Sequence, residues 1–321
     1  MKKLLCLLIA TTFTARTFAK EKPRPKILEI RQVRILTSDA GKARSFYYGL
    51  LRALYPGEAS GDDCHWCEQW PAAPSDLFEF TAVPKTRPKN FIGAVVFRTN
   101  DAAGLRQVLR RNGVKAGRLT KTPAGGTFSV LDPERHRLIF DQIADGARQP
   151  FAPRTDETSP PTAPHIIHVG LVVSNRAAMD HFYRDILGFR LYWQGGMKEG
   201  QTNWVDMQVP DGTDWVEYML NVPGDADRRT LGVMNHVALG VLDMRTADDR
   251  LLQSSLHLPI NEAPKIGRDG KWQLNLYDPD DTRVELMEFV PAEKPCCSPY
   301  LGPHPGPSPA PDSASAVPFT P

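Results

Sequence analysis

The sequence predicts an α+β protein of two domains, each built from a pair of βαβββ units. Three observations lead to this prediction. The chain has 321 residues, more than a single domain usually holds. Two proline-rich segments divide it, and two short motifs recur at one constant distance in its second half. The proline-rich segments set the domain boundaries, and the recurring motifs define the unit.

The composition is that of an ordinary globular protein. Hydrophobic residues make up 41% and charged residues 24% of the chain, and the net charge is +2. These values exclude a disordered chain, a collagen-like fibre and a membrane protein of several spans. Because basic residues are not in excess, we expect no nucleic-acid partner.

The first 19 residues have the features of a signal peptide. Lys2 and Lys3 precede an apolar run at 4–10 that is too short to span a bilayer, and Ala19 is a small residue at a suitable cleavage point. We therefore expect an exported protein, periplasmic or secreted, with no membrane span after cleavage. Nothing in the sequence indicates the oligomeric state.

Export changes what is expected of the cysteines. An oxidising compartment favours disulfides over zinc, and no second Cys-x-x-Cys or paired histidine follows at zinc-finger spacing. The sequence leaves the pairing open among the cysteines that remain after cleavage, which are Cys64, Cys67, Cys296 and Cys297.

Proline marks the limits of the folded parts. Residues 146–164 hold five prolines and residues 291–321 hold ten, both with little apolar periodicity. The first segment is expected to be a linker between domains and the second a disordered or polyproline-like tail. The folded domains are therefore predicted at 27–145 and 165–290.

Two motifs in the second predicted domain recur with the same offset. A β-rich run containing His168 returns with His236, and a run containing Glu217 returns with Glu285. The differences 236 − 168 and 285 − 217 are both 68. Two matches at one offset indicate a duplicated unit.

The order of elements within a unit follows from periodicity. Residues 177–187 carry apolar side chains at helical spacing and end at Gly188, and β-rich runs precede and follow them. The first predicted domain has a fainter version, in which Phe46-Tyr47 parallels Phe182-Tyr183. The chain is thus expected to contain four related units in two pairs. Another matching pair of motifs is Leu131-Asp132-Pro133 and Tyr277-Asp278-Pro279.

Side chains that commonly bind metals occupy the duplicated positions. Strand alternation places His168 and His236 on corresponding faces, and Glu217 and Glu285 lie among apolar neighbours, where an unpaired carboxylate would be costly. Packed around a pseudo-twofold axis, the two units would bring all four together. Two imidazoles and two carboxylates suit a divalent ion such as Zn²⁺, Ni²⁺, Mn²⁺, Fe²⁺ or Co²⁺. The alternative to metal binding is that these are ordinary residues on strand surfaces. This alternative would be preferred for any one of them, but not for four at duplicated positions.

These motifs resemble the vicinal oxygen chelate superfamily, which includes glyoxalase I, methylmalonyl-CoA epimerase, bleomycin-resistance proteins and type I extradiol dioxygenases. The resemblance covers 165–290 well and 27–145 more weakly. It implies paired βαβββ units whose curved sheets enclose a metal. The ligands that it implies are His168, Glu217, His236 and Glu285.

The same comparison implies that the first domain has no metal. The positions that correspond to the four ligands hold Gln32, Glu79, Gly93 and Ile139. Glycine and isoleucine have no side-chain donor, so this domain is expected to support the fold or to form one wall of the substrate pocket.

Within the superfamily, Glu217 favours a glyoxalase- or epimerase-type lyase or isomerase. In such an enzyme a substrate with adjacent oxygens chelates the metal, which stabilises an enediolate as a Lewis acid. Glu217 or Glu285 would then act as the catalytic base. Export argues against cytosolic thiol- and CoA-linked substrates, so we expect a small oxygenated metabolite.

Two alternatives remain open. An extradiol dioxygenase would use His168, His236 and Glu285 as its metal triad, although in those enzymes a histidine stands at the position of Glu217 and a tyrosine at that of Asn275. A non-catalytic binding or resistance protein would instead sequester a small molecule. Its pocket could be lined by aromatic residues that are more often core residues in strands, namely Trp193, Trp204, Trp215 and Tyr218.

Overall fold

The structure is a computed structural model, and its fold is the α+β arrangement that the sequence predicts, with two sheets of five and eight strands. No helix in the described part of the chain is long and apolar enough to cross a membrane. The predicted signal peptide, the linker as far as residue 163, Cys64 and Cys67 lie outside the described residues. The described residues are 24–55, 77–86, 88–143, 164–254 and 262–307.

The first domain forms the five-stranded sheet, in the order β2-β1-β3-β5-β4. Its parallel pairs are β1 with β2 and β3 with β5, and β1 and β3 join them antiparallel at the centre. The elements are β1 (Ile27–Thr37), α1 (Ala40–Leu54), β2 (Phe78–Ala82), β3 (Ile92–Thr99), α2 (Ala102–Arg111), β4 (Thr127–Leu131) and β5 (Arg137–Gln142).

The second domain forms the eight-stranded sheet, in the order β11-β12-β13-β10-β6-β9-β8-β7. Its strands are β6 (Ile166–Val172), β7 (Arg190–Gly195), β8 (Trp204–Gln208), β9 (Trp215–Met219), β10 (His236–Val241), β11 (Lys265–Ile266), β12 (Trp272–Tyr277) and β13 (Arg283–Glu288). Its helices are α3 (Arg176–Asp180), α4 (Arg228–Met234) and α5 (Met244–Gln253).

The helix expected at 177–187 forms, but only its first half is α-helical. A π-helix, His181–Ile186, continues directly from α3. Gly188 follows with a φ of +81°, a conformation that glycine adopts without the steric cost of a Cβ atom. The helix therefore ends where the sequence predicts.

A short polar side chain begins the helix of each unit. In every case its oxygen accepts hydrogen bonds from backbone N–H groups of the first turn, which have no partner within the helix. The chain can therefore turn from strand to helix within two or three residues. The capping residues are Asp39, Asp101, Asn175 and Asp243.

The apolar core is continuous between the two predicted domains. A single cluster of buried side chains contains Tyr47 and Phe97 of the first domain together with Tyr183 and Phe189 of the second. The rings of Phe97 and Phe189 meet edge to face, with centroids 5.7 Å apart. The two domains therefore share one interior and are not independent bodies joined only by a linker.

Residues 291–307 correct the expectation of a disordered tail. They fold back over the second sheet, where the Leu301 N–H donates to the Tyr192 carbonyl over 2.8 Å. Further along, the Gly306 carbonyl lies 2.7 Å from Nδ1 of His165. The sequence did not predict this packing, because the contacts that hold the segment are individual hydrogen bonds and ring contacts. Such contacts leave no apolar periodicity in the sequence.

Candidate metal centre

The two histidines meet because of the register of one antiparallel strand pair. Strands β6 and β10 lie at the middle of the second sheet, with His168 opposite Ala238 and His236 opposite Gly170. Residues two apart on a strand share a face, so both imidazoles project from the same side of the pair.

The parallel neighbours of these strands supply the carboxylates. Strand β9 places Glu217 beside Gly170, and β13 places Glu285 beside Ala238. The two pairs are equivalent by the repeat: Ala238 lies 68 residues after Gly170, and Glu285 lies 68 residues after Glu217. Equivalent registers on both sides of the central pair direct the two glutamates to one place.

Three of the four predicted donors, His168, His236 and Glu285, have spacings close to those of ligands on one divalent ion, and Glu217 lies beside this group. Two ligands bound at about 2.1 Å to the same ion lie about 3.0 Å apart at right angles and about 3.4 Å apart at the tetrahedral angle. The separations from His236 fall within this range, and those from His168 to the glutamates are slightly longer. From His236 Nε2 they are 3.0 Å to His168 Nε2, 3.1 Å to Glu217 Oε2 and 3.3 Å to Glu285 Oε2; from His168 Nε2 they are 3.6 Å to Glu285 and 3.7 Å to Glu217.

Within this group, His168, His236 and Glu285 form the compact core. Their donor atoms all lie within 4.8 Å of one another, and all three residues are buried. Glu217 differs in exposure, since 14% of its side chain is accessible against 4% for Glu285. Glu217 therefore stands on the side of the donor group that opens to solvent.

The protonation states of His168, Glu285 and Glu217 suit metal binding. Burial lowers the pKa of His168 despite the neighbouring carboxylates, which favours its neutral, ligating form. Burial alone would raise the pKa of Glu285, but Arg283 and then the two histidines hold it well below its ordinary value. For Glu217 burial also opposes ionisation, and the hydrogen bond and charge of His236 outweigh it and lower the pKa. Both carboxylates are therefore ionised at neutral pH.

The orientation of His236 is fixed by the backbone. Its Nδ1 lies 3.0 Å from the Met234 carbonyl oxygen, to which the Nδ1–H donates. A proton held there leaves Nε2 with its lone pair, which Arg283 Nη2 approaches to 2.9 Å and which a bound metal would take instead. Two opposing effects act on its charge: burial and Arg283 lower the pKa of His236, and hydrogen bonds to the two glutamates raise it above its ordinary value.

In the first domain the equivalent place holds a salt bridge and apolar side chains. Its strand register sets Arg34 opposite both Glu79 and Ala94, so Ala94 occupies the position of His236. The expectation that Gly93 stands there was wrong by one residue, because a register irregularity follows Arg34. Arg34 Nε pairs with Glu79 Oε2 at 2.9 Å. Buried Gln32 stands at the position of His168, and a small apolar cluster of Ala94, Val96 and Ile139 lies beside it.

A cavity of about 330 Å³ opens from the four donors. Three of the four aromatic residues considered from the sequence line it, namely Trp193, Trp204 and Trp215. Tyr218 does not, because strand alternation turns it into the main core. The ring of Trp215 stacks on His168, with centroids 4.7 Å apart and planes 28° apart. The aromatic residues thus form a wall of the cavity as well as a part of the core.

Sequence reasoning missed an arginine at the centre. Arg283 Nη2 lies 2.9 Å from His236 Nε2 and 3.8 Å from Glu285 Oε2, and its side chain is 15% exposed. Its position two residues before Glu285 on one strand was a usable signal, since such residues share a face. A fixed guanidinium here can balance the carboxylates or meet an anionic oxygen in the cavity.

Sequence reasoning also missed a buried lysine behind the cavity wall. Lys271 is fully buried, with Nζ 4.8 Å from the centre of the Trp215 ring. Burial lowers its pKa to about 8 and raises that of the nearby Asp269 to about 7. Asp206, opposite Glu217 in the sheet register, has a pKa raised well above its ordinary value by burial. No local motif signals this group, because it is assembled from three separate strands and turns.

Comparisons with known proteins agree with this architecture. Solved structures with similar folds include a variant of homoprotocatechuate 2,3-dioxygenase from Brevibacterium fuscum, with a TM-score of 0.56 and 19% identity over 90% of this chain and 76% of that one. Another is a variant of the same enzyme in complex with HPCA, with a TM-score of 0.55 and 20% identity over 83% of this chain and 72% of that one. The 2,3-dioxygenase LapB from Pseudomonas sp. KL28 has a TM-score of 0.55 and 17% identity over 86% of this chain and 97% of that one. At these identities the likeness concerns the fold.

The sequence comparisons concern the second domain. No curated protein sequence matches the chain. Residues 165–286 match the sequence model of the Glyoxalase/Bleomycin resistance protein/Dioxygenase superfamily, and this range contains all four donors and their strands. The second domain, over residues 165–286, is thus similar to the Glyoxalase/Bleomycin resistance protein/Dioxygenase superfamily.

Proposed function

We propose that the protein is a metal-dependent lyase or isomerase of the glyoxalase or epimerase type, acting on a small molecule with adjacent oxygen atoms. The observation that carries this proposal is the place of Glu217. Its carboxylate lies beside the metal centre, with Oε2 3.1 Å from His236 Nε2. Glu217 is also the more accessible of the two glutamates. A carboxylate at the rim of a metal centre can exchange protons with a molecule in the cavity.

In this proposal His168, His236 and Glu285 are the resident ligands. They are the compact, buried part of the donor set, and a facial arrangement of two histidines and one carboxylate leaves other sides of an ion open. A bound divalent ion would supply Lewis-acid polarisation of a substrate oxygen. Glu285 is almost fully buried, so it is suited to ligation and not to proton exchange.

Glu217 is the proposed base. It is ionised at neutral pH because the pull of His236 overcomes the effect of burial on its pKa, so it can accept a proton. The neighbouring wall of Trp193, Trp204 and Trp215 limits water and orients a small substrate. Arg283 lies beside Glu285 and can donate a hydrogen bond to an oxygen that gains negative charge.

The test is exchange of a carbon-bound proton. Protein saturated with Zn²⁺, Ni²⁺ or Co²⁺ is incubated in D₂O with a panel of α-hydroxycarbonyl and α-hydroxyacid compounds, and proton NMR follows the loss of the α-hydrogen. We expect metal-dependent exchange on at least one compound, reduced by roughly 100-fold or more in Glu217→Gln at saturating metal. Glu79→Gln is the matched control, because Glu79 holds the equivalent register position in the first domain. Exchange that is equal in the two variants would contradict the role of Glu217.

A second candidate function is that of an extradiol dioxygenase. Two observations favour it: the His168, His236 and Glu285 triad, and the fold likeness to ring-cleaving dioxygenases. Against it, the cavity presents Glu217 and Asn275 where the dioxygenase reaction would need other acid–base groups. Oxygen uptake by the Fe²⁺-loaded protein on a catechol panel, without α-proton exchange, would favour this function over the first.

Export forms part of the proposal and depends only on the motif in residues 1–19. Amino-terminal sequencing of the protein recovered outside the cytoplasm tests it, and a new terminus after Ala19 is the expected result. Recovery of the full chain from the cytoplasm would contradict export and leave the metal chemistry untouched.

A further inference from the structure

The cavity wall is joined to a disulfide between adjacent residues. Cys296 and Cys297 are bonded to each other within the segment that folds back over the second sheet. The Cys296 N–H donates to the Arg268 carbonyl over 2.8 Å, and its own carbonyl accepts from Trp193 Nε1 over 3.2 Å. Trp193 and Arg268 both line the metal cavity. The covalent state of this pair is therefore linked to the cavity wall through two direct contacts.

The two sulfurs differ in their surroundings. Cys297 is exposed, whereas Cys296 is half-buried. Arg268 Nη2 lies 2.8 Å from Cys296 Sγ but 4.0 Å from Cys297 Sγ. A guanidinium beside a sulfur stabilises the thiolate form, so Cys296 is the better leaving group and Cys297 the more accessible target.

We propose that Cys296–Cys297 is a redox-active disulfide, attacked by small dithiols at Cys297 Sγ, and that its redox state sets the conformation of the cavity wall at Trp193 and Arg268. The inference is independent of the reaction at the metal centre, since it rests on the cysteines and their contacts alone.

The exchange balances with a dithiol as the reductant. A thiolate of the dithiol attacks Cys297 Sγ, the bond between the two cysteines breaks, and its electron pair passes to Cys296 Sγ beside Arg268. The second thiolate of the dithiol then attacks the first sulfur of the same dithiol, in its mixed disulfide with Cys297, and releases the Cys297 thiolate. The reductant leaves as a cyclic disulfide, and the protein has gained two electrons and two protons.

Reduction removes a local constraint on the chain. Cys297 has a φ of +72°, a left-handed conformation that is unfavourable for a residue with a Cβ atom. In the dithiol no covalent bond opposes relaxation of this residue. Because Ser298 is bound to the Gln194 carbonyl over 2.8 Å, relaxation at 297 is passed to strand β7 as well.

The first experiment counts and locates the thiols in the full chain. Trypsin cleaves after Arg283, and the last basic residue, Lys294, precedes proline, so one peptide from 284 to 321 holds Cys296 and Cys297 and no other cysteine. After maleimide labelling we expect this peptide to be unlabelled in the untreated protein and doubly labelled after dithiothreitol. A brief glutathione pulse followed by labelling should place glutathione on Cys297 and maleimide on Cys296. Labelling before reduction, or glutathione on Cys296, would overturn the proposal.

The second experiment tests the role of Arg268 and the link to the wall. We expect Arg268→Gln to slow reduction by dithiothreitol roughly three- to tenfold, because the leaving thiolate loses its cation. Arg245→Gln, at an exposed arginine of α5, is the matched control. Hydrogen–deuterium exchange of the unaltered protein should increase on reduction at 192–197 and 266–270 and stay constant at 127–142. Equal reduction rates in the two variants, or unchanged exchange at 192–197, would overturn the inference.

Discussion

Gly170 lies directly opposite His236 on the neighbouring strand, and the imidazole fills the space where a side chain at 170 would stand. A Cβ atom at Gly170 would be 2.0 Å from Cε1 and 2.1 Å from Nδ1 of His236. No side chain larger than hydrogen leaves His236 in place, so the glycine is part of the metal centre although it provides no ligand.

Replacing this glycine should therefore weaken metal binding. In Gly170→Ala the His236 ring must move, and we expect affinity for Zn²⁺ to fall by about 10- to 100-fold, as when the support of a ligand is lost. Gly224→Ala is the control, because no atom lies within 4 Å of a Cβ placed there. Competition against a chromophoric chelator measures both affinities. Equal affinities in the two variants would show that His236 is not held by this packing.

The ligands themselves should determine metal content. We expect about one divalent ion per chain in the reconstituted protein and its loss in His168→Ala and in His236→Ala, because each removes a donor from a closely spaced set. His181→Ala is a suitable control, since the His181 side chain is 69% exposed and outside the centre. Mass spectrometric metal analysis after dialysis gives the stoichiometry. Full occupancy in His236→Ala would contradict the assignment of the centre.

His165 should make stability depend on pH. Burial by itself lowers its pKa, but the ion pair with Asp214 at 2.8 Å and the hydrogen bond to Gly306 outweigh burial and raise the pKa from 6.5 to about 9. Because the pKa is higher in the folded state, protonated His165 stabilises the fold. This stabilisation is complete below about pH 6.5 and is lost as the pH rises through about 9. The shift corresponds to about 3 kcal/mol of unfolding free energy.

Urea unfolding of the wild type and of His165→Gln isolates this effect from other titrating groups. The difference between their unfolding free energies should be largest near pH 6 and should shrink steadily towards pH 10. A difference that is constant over this range would show that His165 is not charged in the folded protein.

Two buried tyrosines join the domains in equivalent ways. Tyr47 donates to Asp278 Oδ2 over 3.1 Å, and Tyr183 donates to Asp132 Oδ2 over 3.2 Å, so each domain contributes one tyrosine and one aspartate. We expect Tyr47→Phe to lower the free energy of unfolding by about 1–3 kcal/mol, because a buried carboxylate oxygen loses its donor. Tyr183→Phe should have a smaller effect, because Asp132 Oδ2 keeps a second contact, with His136 Nδ1 at 2.8 Å.

The control for these variants is Tyr48→Phe, since Tyr48 is half-buried and packs against Phe80 only through its ring. Its effect should stay within about 0.5 kcal/mol. Urea denaturation followed by circular dichroism compares the three variants. The two buried sites share no hydrogen-bond partner, so the double variant Tyr47→Phe/Tyr183→Phe should show additive losses.

Much of the architecture and of the site was predictable from sequence because it depends on local spacing. Strand alternation and helical periodicity are properties of neighbouring residues, and they indicated the α+β fold and the helix that ends before Gly188. The 68-residue offset selected His168, Glu217, His236 and Glu285, and the structure brings these four together. Their role as ligands stays a prediction until metal binding is measured.

Only the tertiary structure decided the remaining features, because each depends on contacts between distant parts of the chain. One irregularity in the pairing of β1 with β3 moved the equivalent of His236 from Gly93 to Ala94. The packing of 291–307 likewise has no local signature, and the spacing of Arg283 and Glu285 indicates a shared face but not the contact of Arg283 with His236. The sequence by itself thus determined which residues can hold a metal, whereas the strand register and long-range packing decided which of the two glutamates is the more accessible. Strand register is set by hydrogen bonds and side-chain contacts between distant parts of the chain. Periodicity along the chain does not specify these contacts.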